Sequence, residues 1–188
     1  MVRGLAAALI PLLLQEDRAE QLWRFKSGSA WTYEVGEGAE KGRGVQTVTG
    51  EKGGRVLLEL KKFKGDGTIP SQTIKQAHWF ENGYVMWGYH ETDGNYGITY
   101  RMWKVGARKG DRWKAVATEV QVDAEMEYRG PAEVKTAAGT YKQAHHVAAL
   151  ENGEAILELH LVEGVGLVKW VDKRGSFSME LTRFVPGN

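Results

Sequence analysis

The chain has no cysteine among its 188 residues, and that absence excludes several chemistries at once. No disulfide framework staples the fold, no thiolate acts as a nucleophile, and no thiol is available to carry a lipid. The sequence is therefore not read as a lipoprotein. Proline is scarce too, with 4 residues against 24 glycines, a balance that belongs to tight turns and not to a proline-rich disordered chain. Neither charge sign predominates. Lys and Arg total 25 against 24 for Asp and Glu, the signs are interspersed, and no basic run is present, which argues against nucleic acid as a partner. Serines are few and none lies in a Gly-x-Ser-x-Gly setting, and no His-Glu-x-x-His motif occurs, so nucleophilic and zinc-protease chemistry lack their usual signatures.

A long apolar run is also missing. The longest, Leu5 to Leu14, is well short of the roughly 20 residues that a membrane-spanning helix needs. With Arg3 ahead of it, this run reads as a signal peptide over residues 1–16, followed by a single β-rich domain over 17–188. The competing reading is an apolar N-terminal helix packed on the domain. On the first reading the protein is secreted or periplasmic in a bacterium, with no transmembrane segment once the signal is removed.

What the sequence does contain is alternation. After a short helix expected over Glu16–Phe25, Trp31, Tyr33 and Val35 alternate with Thr32 and Glu34 as a half-buried strand requires. Val45–Thr49 and Val56–Phe63 form a pair in which Val56, Leu58 and Leu60 face a core. A long hairpin over Ser71–His90 turns at Asn82-Gly83, a dipeptide suited to the two positive φ angles of a type I′ turn. That turn pairs Glu81 with Tyr84, Trp79 with Met86 and His78 with Trp87. Ile98–Val105 and Val116–Tyr128 continue as strands, the latter expected to end at Gly130-Pro131, and Ser176–Val185 supplies the last.

The organising stretch is Gly139–Trp170. Two alternating segments flank Asn152-Gly153, and a third follows Gly164 and Gly166, which together read as a β-meander. Within it, the segment Ala138-Gly139-Thr140-Tyr141-Lys142 and the segment Gly164-Val165-Gly166-Leu167-Val168-Lys169 resemble the paired signature of the DUF3108-like group of secreted bacterial β-proteins. Ser29–Tyr33 and Lys104–Trp113 are similar in character. The resemblance implies an exported β-fold and brings no catalytic residues.

Two groups of side chains are candidate sites. A two-residue turn at Asn152-Gly153 places His145 opposite His160, with Glu158 diagonal on the same face, a set able to hold a divalent transition metal. The plainer reading is that these three belong to a solvated face. The second group is aromatic: Trp31, Tyr33, Trp87, Tyr89 and Trp103, with Trp113, lie on strands that a curved sheet would gather around a ligand cavity. Ordinary core packing competes for each ring.

The expectation is thus an all-β protein, an antiparallel meander curved into a partly closed barrel or a two-layer sheet, with a short N-terminal helix. Its leading function is non-catalytic binding of an apolar or amphipathic small molecule or of an envelope protein, with no cofactor. A secreted hydrolase using cross-sheet carboxylates or the His145/His160 metal site, and a purely structural envelope module, are the alternatives.

Overall fold

A computed structural model describes residues 24–38, 40–90, 96–116, 124–175 and 177–188, excepting the side chains of 89, 90 and 96–98. The signal segment and nearly all of the expected helix over Glu16–Phe25 lie outside the described residues. Among the described residues no helix is long and apolar enough to cross a membrane.

Alternation is realised as strands almost throughout. The first half contributes β1 (Ala30–Glu37), β2 (Glu40–Lys52), β3 (Arg55–Lys64), β4 (Gln72–Glu81), β5 (Tyr84–His90) and β6 (Tyr96–Lys104). The second contributes β7 (Arg112–Lys114), β8 (Glu125–Thr136), β9 (Gly139–Glu151), β10 (Glu154–Val162), β11 (Gly166–Asp172) and β12 (Ser178–Val185). All belong to one antiparallel sheet of 12 strands in the order β6-β5-β4-β3-β2-β1-β12-β11-β10-β9-β8-β7. Each half is an up-and-down meander, and β1 joins them by pairing with β12, Tyr33 opposite Leu181.

The sheet curls until its two edges meet, nearly closing a barrel. At the seam between β6 and β7, Tyr100 bridges Val116, the Arg101 amide donates to the Ala115 carbonyl at 2.8 Å, and Trp113 Nε1 donates to the Arg101 carbonyl at 2.8 Å. Closure of this kind satisfies edge groups that a flat sheet would leave open. Bulges provide much of the curvature, among them those at Thr32/Tyr33, Val48/Gly50, Tyr128/Gly130 and Ala155/Leu157.

One of these bulges corrects the expected end of a strand. Gly130-Pro131 does not terminate β8, which continues to Thr136. Gly130 takes φ +94° beside the bulge, whose extra residue is Arg129, and Pro131 remains in the ladder opposite His145.

Inward residues form one large core that includes Trp31, Tyr33, Val56, Leu159, Val168 and Leu181, all at most 2% exposed. Each large apolar side chain buried there contributes about 1.5–3 kcal/mol. Leu57, the exception to the alternation of β3, packs outside the barrel with Ala77, Trp79 and Met86 in a small second cluster. Both Asn-Gly turns form as the dipeptide requires, with φ of 52° and 84° at Asn82 and Gly83, and 53° and 83° at Asn152 and Gly153.

Candidate functional site: an interior cavity

The hairpin of β4 and β5 supplies one side of the site. Its pairs are those the turn dictates, Glu81 with Tyr84, Trp79 with Met86 and His78 with Trp87. Period two then sends Ile74, Gln76, His78, Val85 and Trp87 to the interior. β3 adds Leu58, Leu60 and Lys62 from the adjoining wall. Across the barrel stand Leu161, Leu167, Trp170 and Met179, and between the walls lies a cavity of about 170 Å³. Trp31 and Phe25 cover another part of it. Phe25 reaches this position because Gly166 has no side chain: a Cβ there would stand 3.0 Å from the Phe25 ring, and Gly166 already has φ +86°.

Three rings form a row along the cavity. Trp87 and Trp170 meet edge to face at 5.6 Å between centroids, and Trp170 meets Phe177 at 6.2 Å. The Lys62 ammonium lies 4.6 Å from the Phe177 centroid and is paired with Glu37 at 2.5 Å. Lys62 therefore ends the row with a cation that is already neutralised.

Polar groups are few and uncharged elsewhere in the lining. Gln46 Nε2 donates to Gln76 Oε1 at 2.8 Å. The Tyr33 hydroxyl donates to the Leu167 carbonyl at 3.0 Å, with Gln46 Oε1 at 3.5 Å. Burial, and to a lesser extent Tyr141, raises the Tyr33 pKa well above the usual phenol range, so the hydroxyl remains a donor. His78 Nδ1 is buried without a hydrogen-bond partner among the described residues. His78 borders the cavity, and desolvation lowers its pKa to about 4. His78 is accordingly neutral at physiological pH.

Of the rings expected around a ligand, Trp31, Tyr33 and Trp87 line this cavity, whereas Trp103 does not. Trp103 instead packs 4.8 Å from the His145 ring, its Nε1 buried without a partner among the described residues. Trp113 belongs to the seam, and the Tyr89 side chain lies outside the described residues. Trp170, Phe177, Gln46, Gln76 and His78 were not expected as site residues. The alternation of Ile74, Gln76 and His78 on the face of Val85 and Trp87 was the available signal for part of that set.

The proposed metal geometry is corrected by register. A bulge between Ala155 and Leu157 adds one residue to β10, so His160 faces His146, and Leu161 faces His145. His146 and His160 stack at 4.5 Å and 14°, a parallel arrangement in which the lone pairs do not converge on one point. Glu158 stands 3.8 Å from His146 Nε2, but Lys173 at 3.2 Å and Arg129 at 3.9 Å share its carboxylate. Desolvation, then the neighbouring His146, lowers His160 to about 4, and desolvation also lowers His146. Among the described residues no group of three or more His, Asp or Glu side chains is arranged to hold a metal ion.

His145 joins a different group. Its Nδ1 is 3.0 Å from the Tyr128 hydroxyl and its Nε2 is 3.3 Å from Glu163. With Glu163 ionised, Nε2–H donates to the carboxylate and Nδ1 accepts from Tyr128, which fixes the tautomer. Burial, then Glu163, raises the Tyr128 pKa, so this phenol is made less acidic and not more reactive.

No protein-family model matches the chain, and no curated protein matches it. Among solved structures the chain is similar to "Crystal structure of MucB", with a TM-score of 0.44 and 15% identity over 95% of this chain and 60% of that one. It is similar to "The complex structure of Pseudomonas aeruginosa MucA/MucB" with a TM-score of 0.44 and 15% identity, over 95% of this chain and 56% of that one. A third likeness is to the hypothetical protein CT021 from Chlamydia trachomatis, with a TM-score of 0.31 and 5% identity over 89% of this chain and 91% of that one. The chain thus spans 60% or less of the length of the two MucB-containing matches. Superposition this partial carries no inference about role.

Proposed function

We propose that the barrel binds a small apolar or amphipathic molecule, without catalysis, in the cavity between Leu58, Leu60 and Trp170. The observation that carries this reading is a cavity of about 170 Å³ lined by side chains of the main core. Protein interiors pack like organic crystals, so an apolar group bound here gains contacts that the side chains lining the space otherwise lack. An apolar space of similar size is enough to hold a benzene-sized group, and this one is lined by rings, aliphatic side chains and two bonded amides.

The proposal includes export and membership of the DUF3108-like group. Export is supported by Arg3 and the apolar run Leu5–Leu14. Membership is supported by the placement of the two signature segments, since β9 begins at Gly139 and β11 at Gly166, each glycine opening a strand.

Native mass spectrometry of the full chain, purified without detergent, tests the reading. An organic adduct is expected on the native protein and not on Leu60→Trp, whose larger side chain occupies the cavity. Bare protein in repeated preparations, with no uptake of an added apolar probe, contradicts it.

A further inference from the structure

The polar groups of the cavity are unevenly placed, and their placement selects among amphiphiles. Lys62 and His78 lie toward opposite ends. His78 is opposite Val56, and Lys62 is six residues further along β3 (56 to 62), roughly 20 Å at the rise of a strand. Between them the lining is aliphatic on one side, from Leu58, Leu60 and Ile74, and aromatic on the other, from Trp87, Trp170 and Phe177. Three successive inward positions on β3 alone give roughly 13 Å, the reach of about ten carbons.

We infer that the ligand is an unbranched amphiphile with an uncharged hydrogen-bonding head, a hydroxyl or a primary amide, seated against His78 with its tail along the aromatic row. The inference rests on the binding reading above. His78 borders the cavity and its Nδ1 is buried without a hydrogen-bond partner among the described residues, and a hydroxyl or amide N–H donates to an imidazole nitrogen without adding charge. Gln76, two residues away on the same face, already accepts from Gln46, which holds the neighbouring surface polar and uncharged. A carboxylate head is disfavoured because Lys62, the cation in the lining, is at the far end and bonded to Glu37. An ionised head at His78 would be desolvated without a counter-charge.

Isothermal titration calorimetry of the full chain at about pH 7.5 with 1-decanol, decanamide and decanoate separates the possibilities, since decanoate is fully ionised there. Decanol and decanamide are expected to bind at least about tenfold more tightly than decanoate. His78→Leu should weaken decanol by about fivefold and leave decanoate unchanged, and His78→Gln, which keeps a hydrogen-bonding head partner, should recover most of the loss. Circular dichroism of both variants establishes that they are folded. Equal or tighter binding of decanoate, or decanol affinity unmoved by His78→Leu, overturns the head-group assignment while leaving the cavity as a binding site. Absence of binding by all three ligands overturns the binding reading, and the assignment with it.

Discussion

The two Asn-Gly hairpins, β4–β5 and β9–β10, begin identically and end differently. Both turns have nearly the same pair of positive φ angles, and the residues directly flanking the dipeptide pair in each, Glu81 with Tyr84 and Glu151 with Glu154. In β4–β5 the register then holds as far as Gln76 opposite Tyr89, so His78 and Trp87 project together into the barrel. In β9–β10 the ladder slips at Ile156, and every later residue of β10 moves by one partner. A turn fixes where pairing starts, while a bulge decides which face each side chain reaches. The consequence is chemical: one hairpin places a neutral histidine in a cavity, and the other stacks two histidines on the outer face beside Glu158, Arg129 and Lys173.

The sharpest way to break that comparison uses the absence of native cysteine. His146→Cys/His160→Cys should oxidise to a disulfide almost completely, because directly opposed strand positions have Cα atoms about 4.5–5.5 Å apart. His145→Cys/His160→Cys should remain reduced, its side chains lying on opposite faces of the sheet. Mass analysis after mild oxidation checks both, and the reverse pattern would show that the bulge is absent.

Acid should distinguish the hairpins next. A histidine held at about 4 when folded, against an ordinary 6.5, binds fewer protons folded than unfolded between those values. Stability is therefore complete above about pH 6.5 and is lost as pH falls toward 4. His78 should account for about 2–3 kcal/mol of the loss between pH 7.5 and 4.5, and His78→Leu should flatten a denaturant-derived stability curve by that amount. His160→Leu should flatten it less, since that ring is less completely removed from water.

The smallest effect sharpens the likeness. Asn82→Ala and Asn152→Ala should each cost about 1 kcal/mol in urea unfolding, and by similar amounts, because alanine resists positive φ equally at both turns. A marked inequality would mean that the turns, and not the bulge, account for the divergence.

These contrasts also mark what the sequence could show. Strand positions and both turns are local properties of period two and of Asn-Gly, and they were legible. The choice of a nearly closed barrel over two layers was not, because curvature accumulates over bulges such as those at Gly130 and Ile156, which alternation alone does not announce. Trp31, Tyr33 and Trp87 were legible as cavity rings since each lies on a cleanly alternating strand. Trp103 has the same local pattern but faces His145, and only the curl of the sheet separates its neighbourhood from the cavity. The His145/His160 pairing failed for one reason, the extra residue in β10. The role of His78 depends on Leu58, Leu60 and Trp170 reaching the same space from distant parts of the chain.

The account depends on that space being open to a guest. Diffraction from a crystal of the full chain held under xenon pressure tests it directly, since xenon occupies apolar cavities of this size without needing a head group. A strong xenon peak among Leu58, Leu60, Trp87 and Trp170, absent from Leu60→Trp, is the expected result. A continuous, close-packed interior with no xenon at that position would contradict the central claim.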